Sequence, residues 1–131
     1  DLFDRSAIAS VNSDYINTEL AIETLTEALK KKNPTRNTSA HDQGVQYTSW
    51  EFVNFCKDNG VIQSMSKAAV LMIMRQWKDF IILQKLFLYR YTFESVEQLD
   101  EMTKQYINWY NYVRPHSTNN YMTPMEFRYR A

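Results

Sequence analysis

The run His41-Asp42-Gln43-Gly44 has the clearest capacity for chemistry in this sequence. It follows a predicted strand, Thr35 to Ala40, and precedes a predicted helix, Ser49 to Asn59. Open α/β sheets gather ligand chemistry at the carboxyl ends of their strands, which is where Asp42 would fall. An ionised Asp there offers hard oxygens suited to Mg²⁺ or Mn²⁺; an Asx turn is the structural alternative for the same residue. Gly44 is expected to adopt a backbone conformation closed to side chains, turning the chain sharply beneath Asp42. His41 has no partner cluster and is assigned a structural slot ahead of metal ligation.

The flanking elements follow from local chemistry. Ser6 to Asn12 is partly β-branched and predicts a short strand. Asn17 can cap a helix carrying Leu20, Ala21, Ile22, Leu25, Ala28 and Leu29 at helical spacing. Lys30-Lys31-Lys32 suits its carboxyl end, as a solvated terminus before it is a phosphate contact, and Pro34 prevents continuation. Thr48-Ser49-Trp50-Glu51 reads as a capping box for a helix burying Phe52, Val53, Phe55 and Cys56. Gly60 supplies a left-handed stop, and Val61 to Ser66 predicts a strand. Ser95-Val96-Glu97-Gln98 is a second capping box. It opens a long helix with Val96, Leu99, Met102, Tyr106, Tyr110 and Val113 inward, their rings packing the core rather than stacking on bases. Arg114 precedes Pro115 and leaves that helix. Thr123-Pro124-Met125-Glu126 opens a last short helix, with Arg128 and Arg130 expected to be exposed.

Composition bounds the reading. The 131 residues suffice for one domain with a modest core, and 44% hydrophobic content argues against disorder. Fifteen basic and fifteen acidic residues cancel, so nucleic-acid binding would need a local basic patch. Cys56 stands alone, which excludes an internal disulfide, fits a reducing cytoplasm, and on an apolar stripe indicates burial. No amino-terminal signal pattern is present, and no run is apolar enough to enter a membrane.

The stretch His41-Asp42-Gln43-Gly44-Val45-Gln46-Tyr47-Thr48-Ser49 resembles the H-S-D-Q-G-x-Q-Y-T-S motif of insertion-sequence transposases with a retroviral-integrase-like core. Tyr106-Ile107-Asn108-Trp109-Tyr110-Asn111-Tyr112-Val113-Arg114-Pro115-His116 resembles that family's Y-I-x-x-Y-N-x-x-R-x-H. Tyr121 to Glu126 resembles its Y-x-T-P-x-E, Asp1 to Arg5 its D-L-F-x-R, and Gly60 to Ser66 its G-V/I-x-x-S-M-S. The resemblance implies an α/β fold: an incomplete RNase H-like mixed sheet flanked by helices, with carboxyl-terminal helices, spanning residues 1–131. It implies metal-dependent DNA strand transfer with Mg²⁺ or Mn²⁺, and makes Asp42 the second carboxylate of a D,D,E set. The first carboxylate is expected upstream of Asp1, so the sequence is expected to begin partway through the fold. Arg114, His116, Tyr110 and Asn111 become the residues expected to meet DNA. A full-length transposase is a further expected partner, and the cytoplasm the expected location.

Residues 69–87 depart from that pattern. The slot of the family Glu falls on Lys78, a cation without an oxygen ligand, and Asp79 beside it points about 100° away on a helix. Met72-Ile73-Met74 must be encoded ATG-ATH-ATG, and the phase one base earlier permits Tyr-Asp-Asn. Continued through Leu83, that phase permits Y-D-N-A-P-M-E-R-F-Y-N-T, close to the family motif around its Glu. We therefore expect a frameshifted copy, back in frame near Leu88, that retains one metal ligand of three and is inactive by itself. A non-catalytic module binding DNA or an intact transposase is the alternative, and a chain that hardly folds is a third.

Overall fold

The computed structural model describes residues 1, 3–31, 37–40, 44–64 and 82–130. His41, Asp42, Gln43 and Lys78 lie outside them, as does most of the departing segment. The described elements run α1 (Thr18–Lys31), β1 (Asn37–Ala40), α2 (Val45–Thr48), α3 (Trp50–Asp58) and β2 (Val61–Ser64). Residues 82–88 are helical and form α4; α5 (Val96–Tyr112) and α6 (Pro124–Arg130) follow. The class is α/β, as expected. The described sheet has two strands, β1 and β2, paired in parallel from Asn37 opposite Val61 to Ala40 opposite Ser64. The chain divides into two compact units, one of residues 11–78 and one of residues 1–10 with 79–131.

In the first unit, Asn17 caps α1 as its chemistry predicts, its Oδ1 accepting from the Leu20 N–H at 2.9 Å. The parallel connection from β1 to β2 runs through α2 and α3, as parallel strands require a crossover. Phe52, Cys56 and Val61 form the buried centre, with Ala21, Ile22, Leu25, Leu29 and Tyr47 against it. Val53 and Phe55 are half-buried, so the stripe on α3 is narrower than its sequence suggested. Burial pushes the Cys56 thiol up, in keeping with a packing role.

Two local expectations change. Ser49, not Thr48, caps α3: its Oγ accepts from the Phe52 N–H at 3.3 Å. Thr48 is occupied as the last residue of α2, donating its hydroxyl to the Val45 carbonyl at 3.2 Å. Gly44 takes φ −60° and ψ 144°, extended backbone open to any residue. The entry into α2 therefore does not draw on glycine's freedom at that position. Gly60 does, at φ +65°, ending α3 as predicted.

In the second unit, Ser95 caps α5 by accepting from the Gln98 N–H at 3.2 Å. Gln98 returns to the Glu94 N–H at 2.8 Å rather than to the cap itself. The buried face of α5 is Thr103, Tyr106, Tyr110 and Asn111. Val96 and Val113, expected inward, are 58% and 61% exposed. They sit at the helix ends, beyond the reach of the packing. The strand expected over Ser6 to Asn12 does not form. At Ala7 a side chain replaces the neighbouring strand: Asn111 Oδ1 accepts from the Ala7 N–H at 2.9 Å, and Asn111 Nδ2 donates to the Ala7 carbonyl at 2.8 Å.

Two substitutions test this architecture by urea unfolding. Phe52→Ala should cost about 3–5 kcal/mol through lost burial and the cavity left behind. Gly60→Ala should cost only about 1–2 kcal/mol, the penalty of a left-handed non-glycine residue, because nothing lies within 4 Å of the added Cβ.

Candidate functional site

The residues singled out for chemistry fall in two places. Asp42 belongs to the connection between Ala40, the last residue of β1, and Gly44, which precedes α2. Asp42 itself is outside the described residues, so its frame is defined and its carboxylate is not. That frame is the carboxyl end of a parallel strand whose partner, β2, ends alongside at Ser64. Gln63 ties the neighbouring strand to this region, its Nε2 donating to the Tyr47 carbonyl at 3.2 Å.

The second place is the end of α5 and the turn that follows, where Tyr110, Asn111, Arg114 and His116 come together. α5 ends when the Val113 and Arg114 N–H groups both donate to the Trp109 carbonyl, at 2.9 and 3.0 Å. Arg114 then folds back, its guanidinium carbon 5.5 Å from the centre of the Tyr110 ring. Its Nη1 lies 3.1 Å from each ring nitrogen of His116. His116 packs edge-on against Tyr110, with centroids 4.7 Å apart. Tyr110 is 4% and His116 7% exposed, whereas Arg114 is half-buried. Asn111, at 4% exposure, engages both amide atoms with Ala7. Arg114 is thus the member of the group with surface to offer a phosphate; Tyr110, Asn111 and His116 hold the backbone from which it projects.

The turn beyond is fixed from both ends. His116 bridges Met122 in antiparallel fashion, around a 3₁₀ turn at Ser117–Asn119. Asn120 and Tyr121 take φ 55° and 59°, left-handed backbone that is uncommon without glycine. Asn119, 1% exposed, donates to the Asp4 carbonyl at 2.7 Å. The predicted capping box at Thr123 forms in both directions: Glu126 Oε2 accepts from the Thr123 N–H at 2.9 Å, and Thr123 Oγ1 from the Glu126 N–H at 3.2 Å. The Thr123 backbone and side-chain bonds hold the Glu126 carboxyl below its usual range.

Residues that the sequence did not single out complete the arrangement. Asp4 is fully buried and pairs with Arg128 Nε. Arg128 Nη2 also donates to Ser6 Oγ at 2.8 Å and reaches Asp1 Oδ2 at 3.4 Å. Arg128, expected on the surface, is therefore half-buried and committed, while Arg130 is exposed. Burial alone would raise the Asp4 carboxyl, but hydrogen bonds from Ser6 and the Arg128 guanidinium outweigh it and hold it low. Arg5 takes φ 69°, and its Nη1 is a buried side-chain atom with no hydrogen-bond partner among the described residues. These contacts join positions more than a hundred residues apart, beyond any local pattern.

Two measurements check this network. A carboxyl held low stabilises the fold above its unfolded value, about pH 3.9, and that stabilisation is lost as pH falls through the folded value. The unfolding free energy should therefore drop below about pH 4, and Asp4→Asn should flatten that part of the curve. Asn111→Ala should cost about 1–3 kcal/mol in urea unfolding by leaving the Ala7 N–H and carbonyl unsatisfied.

The similarities to known proteins agree with the motifs. The family model described as Integrase core domain matches residues 79–131. A putative transposase for insertion sequence element IS150 from Escherichia coli K12 is 29% identical over 130 residues, covering 98% of this chain and 46% of that protein. An uncharacterized transposase-like protein of Haemophilus influenzae is 27% identical over 129 residues, covering 98% of this chain and 60% of its own length. The chain thus spans about half the length of the curated relatives it matches. No helix among the described residues is long and apolar enough to cross a membrane.

Proposed function

Given a chain similar over nearly its whole length to a putative insertion-sequence transposase and a transposase-like protein, and matched over residues 79–131 by the integrase core model, we propose that it is an RNase H-like core stretch with a function in DNA transposition. Its partner is DNA, an intact transposase is a second partner, and the cytoplasm is its place of action. The reading is supported by the elements on either side of Asp42: a parallel strand ending at Ala40, then the family's H-D-Q-G letters in sequence, then a helix from Val45.

The parent chemistry is attack of a 3′ hydroxyl on a phosphodiester. Its metals, Mg²⁺ or Mn²⁺, would polarise the phosphoryl oxygens and stabilise the attacking and leaving oxygens. The donor set of these 131 residues does not fit such a pair of metals. Asp42 brings one carboxylate, and Lys78 stands where the resemblance places a Glu. An ammonium at the Glu slot repels a cation and offers no lone pair to it. These residues by themselves are inactive in strand transfer.

A second reading, a non-catalytic module that binds DNA or an intact transposase, is favoured by Arg114. It is a half-buried cation presented at the end of a packed helix, with no ion pair among the described residues.

Incubation of the purified chain with labelled duplex DNA and Mn²⁺ should give no cleaved or joined product. Product that disappears on Asp42→Ala would overturn the inactive reading. For the binding module, retention of duplex DNA should weaken with salt. Arg114→Ala should lower the slope of log affinity against log salt by about 0.9, one phosphate contact; an unchanged slope removes Arg114 from the interface.

A further inference from the structure

Residues 82–93 read Ile-Leu-Gln-Lys-Leu-Phe-Leu-Tyr-Arg-Tyr-Thr-Phe, with two cations and no acid in a chain of zero net charge. Lys85, Tyr89, Arg90 and Tyr91 are all exposed, Tyr89 by 83% and Tyr91 by 49%. Lys85 and Arg90 form no ion pair among the described residues. α4 closes as the Tyr89 N–H donates to the Lys85 carbonyl at 2.8 Å and the Tyr91 N–H to the Leu88 carbonyl at 3.1 Å. Beneath them lies a shallow cleft of about 330 Å³ lined by Lys85, Leu88, Tyr89, Tyr91 and Phe93. The Tyr91 ring is steadied by Phe87 at 5.6 Å, and Phe87 by the buried Tyr106 at 5.4 Å.

We propose that this surface binds single-stranded nucleic acid, with bases stacking on Tyr89 and Tyr91 and flanking phosphates meeting Lys85 and Arg90. The proposal deepens the DNA-directed reading above by naming a strand form and a surface for it. Exposed aromatic rings beside unpaired cations match a strand whose base faces are free, because every base has a face to stack and every nucleotide a phosphate. A duplex keeps those faces inside its own stack and offers the tyrosines nothing. A second copy of the chain fits less well: a two-fold contact centred here would bring Lys85 and Arg90 against their own counterparts. Most of the surface, from Tyr89 to Phe93, lies beyond the 69–87 segment that departs from the family pattern.

Fluorescence anisotropy with a short labelled oligothymidylate tests the proposal on the whole chain. The oligomer should bind more tightly than a duplex of equal length and than an abasic strand of equal charge. Tyr89→Ala should weaken binding about tenfold, whereas Tyr89→Phe, which keeps the ring, should retain it. Replacing both Lys85 and Arg90 by Ala should lower the salt slope by about 1.4, two single-strand phosphates. Tyr89 is too exposed for its loss to unfold the protein, and circular dichroism of the variant verifies that. Equal binding of the abasic strand, or indifference to Tyr89→Ala, overturns the proposal. So does self-association in sedimentation that Tyr89→Ala abolishes, which would make the surface a contact between copies. Duplex retention through Arg114 is scored separately, so either site can fail while the other stands.

Discussion

The buried carboxylate of Asp4 is the constraint on which the carboxyl-terminal unit depends. A charge taken out of water is tolerated only where its partner and its hydrogen bonds repay the desolvation. Here they do. Ser6 donates its N–H to Asp4 Oδ1 at 2.8 Å, Arg128 Nε pairs with Oδ2, and Asn119 takes up the Asp4 carbonyl. Each partner comes from a different part of the chain, so the pairing fixes α6, the turn at residues 116–122 and residues 1–10 together. The positive φ angles at Asn120 and Tyr121 follow from that fixation. A turn anchored by a buried Asn119 amide and by the His116–Met122 bridge leaves the residues between no other path. Arg114 and His116 inherit their placement from the same anchor.

What the sequence made legible was chemistry confined to a few neighbouring residues. Asn17, Ser95 and Thr123 announce helix starts because each side chain satisfies an N–H three positions on, a relation visible in the letters. Gly60 announces a stop for the same kind of reason. The errors arise where two local solutions compete or where the partner is remote. Thr48 and Ser49 are both competent caps, and the choice fell to Ser49 because a four-residue helix, α2, claimed Thr48. The strand expected at Ser6 has suitable residues, but its Ala7 backbone groups are met by an amide 104 positions away. Asn111 lies within a motif legible in the sequence, but its tie to the Ala7 backbone is one that no spacing rule encodes.

In the other unit the balance between helices and sheet is uneven. β1 reads Asn-Thr-Ser-Ala and has no large apolar residue to bury, so the centre is built by Phe52, Cys56 and Val61 with the inner face of α1. β2 turns Val61 inward and leaves Ile62 65% exposed, the alternation of a strand covered on one side. Parallel strands elsewhere are buried on both faces and carry near-continuous apolar runs. β1 therefore holds its place through ladder bonds to β2 more than through its own packing.

That asymmetry bears on how such a chain could meet DNA at all. Phosphoryl transfer demands ligands held to within a fraction of an ångström, and that precision comes from rigid elements with packed supports. Binding a flexible strand demands far less, since aromatic faces and cations tolerate variation in spacing. Around α5 and α6, Tyr106, Asn111, Asn119 and Asp4 are buried, and Asn111 and Asn119 are bonded to backbone far along the chain. Arg114 projects from this region, and through Phe87 and Tyr106 the ring of Tyr91 rests on it. The surfaces proposed to hold nucleic acid rest on these elements, and the position that the resemblance assigns to catalysis follows a strand without a large apolar residue. The proposed loss of catalysis and the proposed binding are compatible in a single sequence, because the residues they invoke belong to different units of the chain.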